Sequence, residues 1–343
     1  MRRILVIRLS ALGDIVMASG LIPALRARWP DAHIAWLAEP AGASLLQANP
    51  RLDEVMVWPR GEWQRLRGER RYPELVRSVR AFVRELRARE FDLVLDTQGL
   101  LKSGSWARIT GAGERIGIAS REGSERLMTR VLAPPRDDPR IGSEYRALAE
   151  HLGVDAQRFP MDLALAEDDR AAAREAVSGA GVVGDHVVFA PFTTRPQKHW
   201  FEERWRCLAG HFSAEAGVTP VILGGGDDRE AAARLTADTA AVSLAGKLSL
   251  RASAAVVAGA RALVGVDTAL THMGSAFNVP TVALFGSTRP YLETDSPVTR
   301  VLYEPLWCSP CRRRPLCGGV FSCMRLHRAD DVYALTRSLM EAA

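Results

Sequence analysis

The run Ala262-Leu263-Val264-Gly265-Val266-Asp267-Thr268-Ala269-Leu270-Thr271-His272-Met273-Gly274-Ser275-Ala276 contains a strand, a turn and a helix in one short span. Residues 263–266 read as a short buried strand. Asp267 and Thr268 fall where a helix begins, and 271–276 continue it with small residues suited to close packing. A strand that turns straight into a helix aims free backbone N–H groups and a positive dipole end at one point, an anion site suited to phosphate. A helix merely capped by Asp267 or Thr268 gives the same letters, so the choice falls to the rest of the chain.

Outward from this run, the pattern repeats. Residues 187–190 read as a strand, followed by the loop Pro191-Phe192-Thr193-Thr194-Arg195-Pro196-Gln197-Lys198-His199-Trp200 and a helix over 202–216. Strand 220–223 ends in Gly224-Gly225-Gly226, which lets backbone approach a ligand closely but is not the G-x-G-x-x-G fingerprint. Strand 242–244, helix 249–258 and strand 281–285 complete this half. The first half alternates likewise: strands 4–9, 33–38, 52–57, 92–97 and 115–118, helices 15–28 and 145–152, and an Arg-rich helical segment over 60–91. Residues 162–165 read as an edge strand and 167–179 as a helix. Such β-α-β alternation implies parallel sheets covered by helices. The expected fold is α/β with two Rossmann-like domains, 1–175 and 176–343, the last helix being a candidate for packing back on the first.

Bulk properties agree. The chain has 343 residues, 47% hydrophobic and 25% charged, ordinary for a two-domain protein. No apolar run reaches membrane-spanning length. Arg8 interrupts the N-terminal apolar run and no small-residue cleavage site follows, so this segment reads as a first strand rather than a signal peptide, and a cytoplasmic location is expected. A net charge of +5, carried almost wholly by arginine, favours anionic partners. Zinc-finger spacing and RNA-binding aromatic signatures are lacking, which sets nucleic acid aside. The arginines of 60–91 fit a basic membrane-side or acceptor-side surface, or a solvated face balanced by interleaved glutamates.

Asp14, after Gly13, stands where a carboxylate takes a proton from an attacking hydroxyl, or caps a helix. Thr193, Thr194 and Lys198 suit a diphosphate. Lys198 is one of only three lysines, with Lys102 and Lys247. Asp96, Gln98, Lys102 and Arg121 lie just past strand ends, where open α/β sheets bind ligands. Glu230 is placed either to accept from ribose hydroxyls or to sit in a helix's first turn; His272 either balances phosphate charge or is a satisfied core histidine. Cys308, Cys311, Cys317 and Cys323 cluster as C-x2-C-x5-C-x5-C, four thiolates suited to a structural Zn or Fe ion, with reduced free thiols the rival. Cys207, alone in a helical stretch, reads as a small core residue.

Gly13-Asp14, Asp96-x-Gln98-Gly99-Leu100-x-Lys102-Ser103, Thr193-Thr194-Arg195-x-x-Lys198-His199-Trp200 and Val266-Asp267-Thr268-x-Leu270-x-His272, in this order, resemble the bacterial ADP-heptose:lipopolysaccharide heptosyltransferases, glycosyltransferase family 9, and more its type I than its type II members. The resemblance implies a GT-B fold, two domains facing each other across a cleft, and inverting transfer without a catalytic metal. ADP-heptose would bind the C-terminal half, with Thr193, Thr194 and Lys198 on the diphosphate, Glu230 on ribose and Leu248 against adenine. Asp267, Thr268 and Ala269 would give the helix-start contacts, with His272 nearby. Asp14 would be the general base. An anionic lipid-linked acceptor would meet the first half, beside Gly13, Asp96, Gln98, Lys102 and Arg121, at the inner face of the inner membrane. Two features depart from the pattern: Ala269 replaces a glycine, and the cysteine cluster resembles relatives with other acceptors, proteins included. An epimerase or hydrolase on the same fold, a binding protein without turnover, and a membrane-surface scaffold are the alternatives.

Overall fold

Among the described residues, twelve strands form two sheets, and every strand pairing within them is parallel. The computed structural model describes residues 1–214, 218–288 and 290–343. The chain divides into one unit of residues 1–138 and 142–164 and another of 139–141 and 165–343.

The first unit carries β1 (Arg3–Ile7), α1 (Leu12–Ala18), α2 (Leu21–Arg28), β2 (His33–Ala38), α3 (Pro40–Leu46) and β3 (Glu54–Val57). Then follow α4 (Arg60–Gly68), α5 (Tyr72–Arg87), β4 (Leu93–Asp96), α6 (Leu101–Ile109), β5 (Glu114–Ile118), β6 (Arg130–Leu132) and α7 (Ser143–His151). The sheet order is β3-β2-β1-β4-β5-β6. The second unit runs α8 (Glu167–Gly179), β7 (Asp185–Ala190), α9 (Glu202–Ser213), β8 (Val218–Ile222), α10 (Arg229–Thr236), β9 (Val242–Ser243) and α11 (Leu250–Ala258). It ends with β10 (Ala262–Val266), α12 (Ala269–Ala276), β11 (Thr281–Phe285), β12 (Thr299–Tyr303), α13 (Ser322–Arg325) and α14 (Ala329–Ala342). Its sheet order, β12-β11-β10-β7-β8-β9, repeats the first from the other end of the list. Central strands β4, β10 and β11 are buried at every residue, as helices on both faces of a parallel sheet require. In each sheet the order reverses once, between β1 and β4 and between β7 and β10, and the crevice beyond such a reversal is where open α/β sheets bind ligands.

Several expected elements differ. The helix expected over 15–28 is two, α1 and α2: the Ser19 hydroxyl bonds back to Val16 O at 2.6 Å, and Phe159 packs so close that a Cβ on Gly20 would lie 2.4 Å from it. The segment 60–91 is broken between α4 and α5, where Arg70 takes φ 57°. Residues 162–165 are not a strand. The Asp162 amide donates to Ser19 Oγ at 2.8 Å and its carboxylate accepts from Asn49 and Arg51, so side chains rather than a ladder hold it. Cys207 is exposed on α9, not a core residue. The expected end of that helix at 215–216 lies outside the described residues. α14 packs on α9, β10 and β11. Among the described residues no helix is long and apolar enough to cross a membrane.

Candidate active site

In the second unit, the loops leaving β7 and β10 converge on Asp267. Lys198 sets its Nζ 2.6 Å from Asp267 Oδ2. The Thr193 hydroxyl donates to the Asp267 carbonyl at 3.4 Å, and the Thr288 hydroxyl to Oδ2 at 2.8 Å. His272, one turn along α12, faces Oδ1 at 3.5 Å, and its other ring nitrogen meets the Tyr291 hydroxyl at 2.9 Å. Burial acts to raise the Asp267 carboxyl. The hydrogen bond and charge of His272, with Lys198, outweigh it and hold the group well below the usual carboxylate range. Burial and the charge of Asp267 push the Tyr291 phenol up.

Thr268 is the N-cap of α12 in extended conformation, with no side-chain hydrogen bond closing the cap. The first turn donor is the Thr271 amide, to Thr268 O at 3.1 Å, so the amides of Ala269 and Leu270 come ahead of it at the positive end of the helix. Ala269 is the first helical residue and is not among the positive-φ positions. Its backbone therefore needs no glycine. Thr194 is exposed. Glu230, in the first turn of α10, is 94% exposed and pairs with Arg234 at 3.4 Å, and Leu248 is half-buried ahead of α11. Neither bonds to the Asp267 group.

In the first unit, the loops leaving β1 and β4 are stitched together. Gln98 Oε1 accepts from the Leu9 amide at 2.8 Å and its Nε2 donates to Ser10 Oγ at 3.4 Å. Asp96 is fully buried and accepts from the Gln98 amide, the Gly99 amide and the Ser103 hydroxyl, each at 3.1 Å. Burial outweighs these bonds and raises its carboxyl. Asp96 therefore shapes its loop and has no exposed surface of its own. Gly99 takes φ 65°, and a Cβ there would sit 2.7 Å from Ile118 O. Asp14, with Gly13, lies in the first turn of α1 and pairs with the buried guanidinium of Arg8, which also donates to Thr97 O. Lys102 shares Glu39 with Arg60, at 3.4 and 3.1 Å, and stands over Trp58. Arg121 is exposed, its amide bonded to Gly99 O at 2.9 Å.

Sequence reasoning missed Arg8, Thr288 and Tyr291 as parts of these clusters. Thr288 follows a strand end, as the other site residues do, which is a usable signal. Arg8 registered only as a break in an apolar run, yet a charge inside a buried strand exit needs a partner.

The cysteine segment adjoins the Lys198 loop. Gln197 Nε2 donates to Arg312 O at 2.7 Å, and the Arg312 amide donates to Ser287 O at 2.6 Å. Cys323 Sγ would lie 2.7 Å from a Cβ on Gly286. Burial, with the charges of the other cysteines, pushes the Cys311 and Cys323 thiols up.

The model of glycosyltransferase family 9 (heptosyltransferase) matches residues 79–317. The chain is 30% identical over 318 residues to lipopolysaccharide heptosyltransferase 1 of Pseudomonas aeruginosa, covering 91% of this chain and 86% of that protein. Among solved structures, the family 9 glycosyltransferase of Veillonella parvula superposes with a TM-score of 0.82 at 22% identity, over 100% of this chain and 98% of that one. The E. coli heptosyltransferase WaaC with ADP-2-deoxy-2-fluoro heptose superposes with a TM-score of 0.73 at 25% identity, over 98% and 99%. The two parallel six-stranded sheets are those of a GT-B-type enzyme. On its sequence and its fold together, the chain belongs to glycosyltransferase family 9, the heptosyltransferases, and is a glycosyltransferase.

Proposed function

We propose that this enzyme moves heptose from ADP-heptose to the Kdo/heptose inner core of lipopolysaccharide, inverting the anomeric carbon. Heptose transfer in lipopolysaccharide core biosynthesis is the activity its family and relatives support. The observation that carries the assignment of residues is the convergence of Lys198, Thr193 and the head of α12 on Asp267 at the β7/β10 reversal.

Asp14 takes the proton of an acceptor hydroxyl as its oxygen attacks the anomeric carbon. The bond from that carbon to the β-phosphate oxygen breaks, and its electron pair leaves with ADP. Asp267 fixes the Lys198 ammonium, whose remaining N–H is directed to the diphosphate, and the α12 amides of Thr268, Ala269 and Leu270 share the developing charge. Glu230 and Leu248 hold ribose and adenine. Gln98, Lys102 and Arg121 line the acceptor side.

The acceptor is an anionic, lipid-linked saccharide at the inner membrane surface. Supporting this, Arg67, Arg70, Arg77, Arg80 and Arg84 on and between α4 and α5 are exposed, while Arg65 and Arg71 are spent on glutamates. Among the described residues those five show no ion pair, leaving charge for anionic lipid. Cys308, Cys311, Cys317 and Cys323 would hold a structural Zn or Fe ion that staples the segment bracing the Lys198 loop.

Donor turnover with ADP-heptose, against UDP- and GDP-sugars, with and without a lipid A–Kdo acceptor, tests the reading. ADP release that depends on the acceptor supports it. Release without acceptor indicates a hydrolase or epimerase, and binding without release a non-catalytic protein. Metal content before and after mild chelation tests the cysteine site.

A further inference from the structure

The packed pair α9 and α14 brings three metal-ligating side chains together. His211 Nε2 lies 3.7 Å from Cys207 Sγ and 2.9 Å from Asp330 Oδ1, and the three ligand atoms all lie within 4.8 Å of one another. Cys207 and His211 share one face of α9 by their i, i+4 spacing. Asp330 approaches from the first turn of α14. The His211 ring is held by stacking on Tyr333, with centroids 5.0 Å apart and planes inclined by 22°. Arg328 approaches Oδ2 of Asp330 at 3.4 Å, so Oδ1 remains directed at the imidazole.

The geometry separates two uses of such a trio. A thiolate-activating relay places the carboxylate on one ring nitrogen and the sulfur on the other. Here both converge on Nε2, the arrangement that a single shared cation satisfies. Tetrahedral zinc sets S–N edges of about 3.6 Å and N–O edges of about 3.3 Å from its usual bond lengths. The Cys207–His211 separation of 3.7 Å already fits, and the 2.9 Å contact opens by a few tenths of an ångström when a cation replaces the proton between nitrogen and oxygen. Thiolate, imidazole and carboxylate together suit a borderline-soft ion. Cys207 is exposed, and the His211 and Asp330 side chains are 35% and 59% exposed, so an ion has a path in.

We propose that Cys207, His211 and Asp330 bind a Zn2+ ion that ties α9 to α14, with water in its fourth position. Binding releases the Cys207 thiol proton. Because α14 also packs on β10 and β11, the ion stabilises the unit that carries Asp267 without touching the reaction.

The test is a count of bound Zn2+ per chain, with a calorimetric titration of Zn2+ alone, on the full chain and on Cys207→Ser, His211→Ala and Asp330→Asn. The four-cysteine segment is intact in all of them and drops out of the difference. The wild type is expected to hold one more Zn2+ than His211→Ala. Added Zn2+ should also raise its melting temperature by a few degrees more than it raises that of His211→Ala, each measured against its own metal-free value. Cys207→Ser is expected to weaken the titrated site at least tenfold. An equal count and an equal thermal shift in the wild type and His211→Ala would overturn the proposal.

Discussion

The reversal points of the two sheets are alike in topology and opposite in electrostatics. Each has an aspartate at the end of the strand where the order turns: Asp96 closes β4 and Asp267 follows β10. Asp96 is sealed among its own loop's donors, among the described residues no cation bonds to it, and burial raises its carboxyl. Asp267 meets Lys198 and His272, and their pull lowers it despite burial. One fold thus sets one carboxylate to shape a loop and the other to anchor a cation. What decides is whether cations reach the carboxylate, here His272 from the helix after the same strand and Lys198 from the neighbouring strand's loop.

The largest expected effect is at the proposed base, Asp14. Asp14→Asn is predicted to lower kcat by about 10²–10⁴-fold while ADP affinity, read by calorimetry, stays as in the wild type. Near-normal turnover would remove Asp14 from the mechanism. Next in size, Asp267→Asn strands Lys198 and should cost about 3 kcal/mol of stability at neutral pH. Asp96→Asn keeps an acceptor for its loop amides and should cost about 1 kcal/mol. Urea unfolding of the two variants compares them, and equal losses would erase the difference between the loops.

The pH course sharpens it further. Asp267 is lowered in the native state, so its contribution is complete above the ordinary aspartate pKa of about 3.9 and is lost as pH falls below it. The stability gap between wild type and Asp267→Asn should therefore hold down to about pH 4 and then close. Asp96 is raised, so its contribution runs the other way, present below about 3.9 and lost as pH rises through its native value. Carboxyl carbon chemical shifts should give the two aspartates midpoints on opposite sides of the ordinary value.

Lys198→Met is predicted to weaken ADP binding by about 10–100-fold, the worth of a charge-assisted contact, and an unchanged affinity would exclude its phosphate role. The smallest effect is expected of Ala269→Gly. Because Ala269 is already helical, the change should cost less than about 1 kcal/mol in melting experiments and leave ADP affinity unaltered.

The strands could be read from the letters because parallel strands buried on both faces are near-continuous apolar runs between breakers. β2 and β11 were expected over the same residues, 33–38 and 281–285. The loops that hold Asp267 and Gln98 were likewise marked by polar residues after strand ends. What one segment could not show was its long-range bonding. The break at Ser19 depends on Phe159 packing against Gly20, and Asp162 is held by Asn49 and Arg51 rather than by a sheet. The partners of Asp14 and His272 are likewise contacts far along the chain or side chains with no local pattern. Cys207 was misread because a small apolar-like residue in a helix gives no sign of which face it occupies.

The bracing of the Lys198 loop bears on how this protein can be recombined. Gln197 is tied to Arg312, Trp200 Nε1 donates to His327 O at 3.1 Å, and His327 in turn bonds Phe285 O at 2.9 Å. The second unit is therefore not portable as strands and loops alone. A chimera that takes a donor specificity from a homologue must carry the whole span from the β7 loop through His327 as one piece, or the imported lysine arrives without the scaffold that aims it.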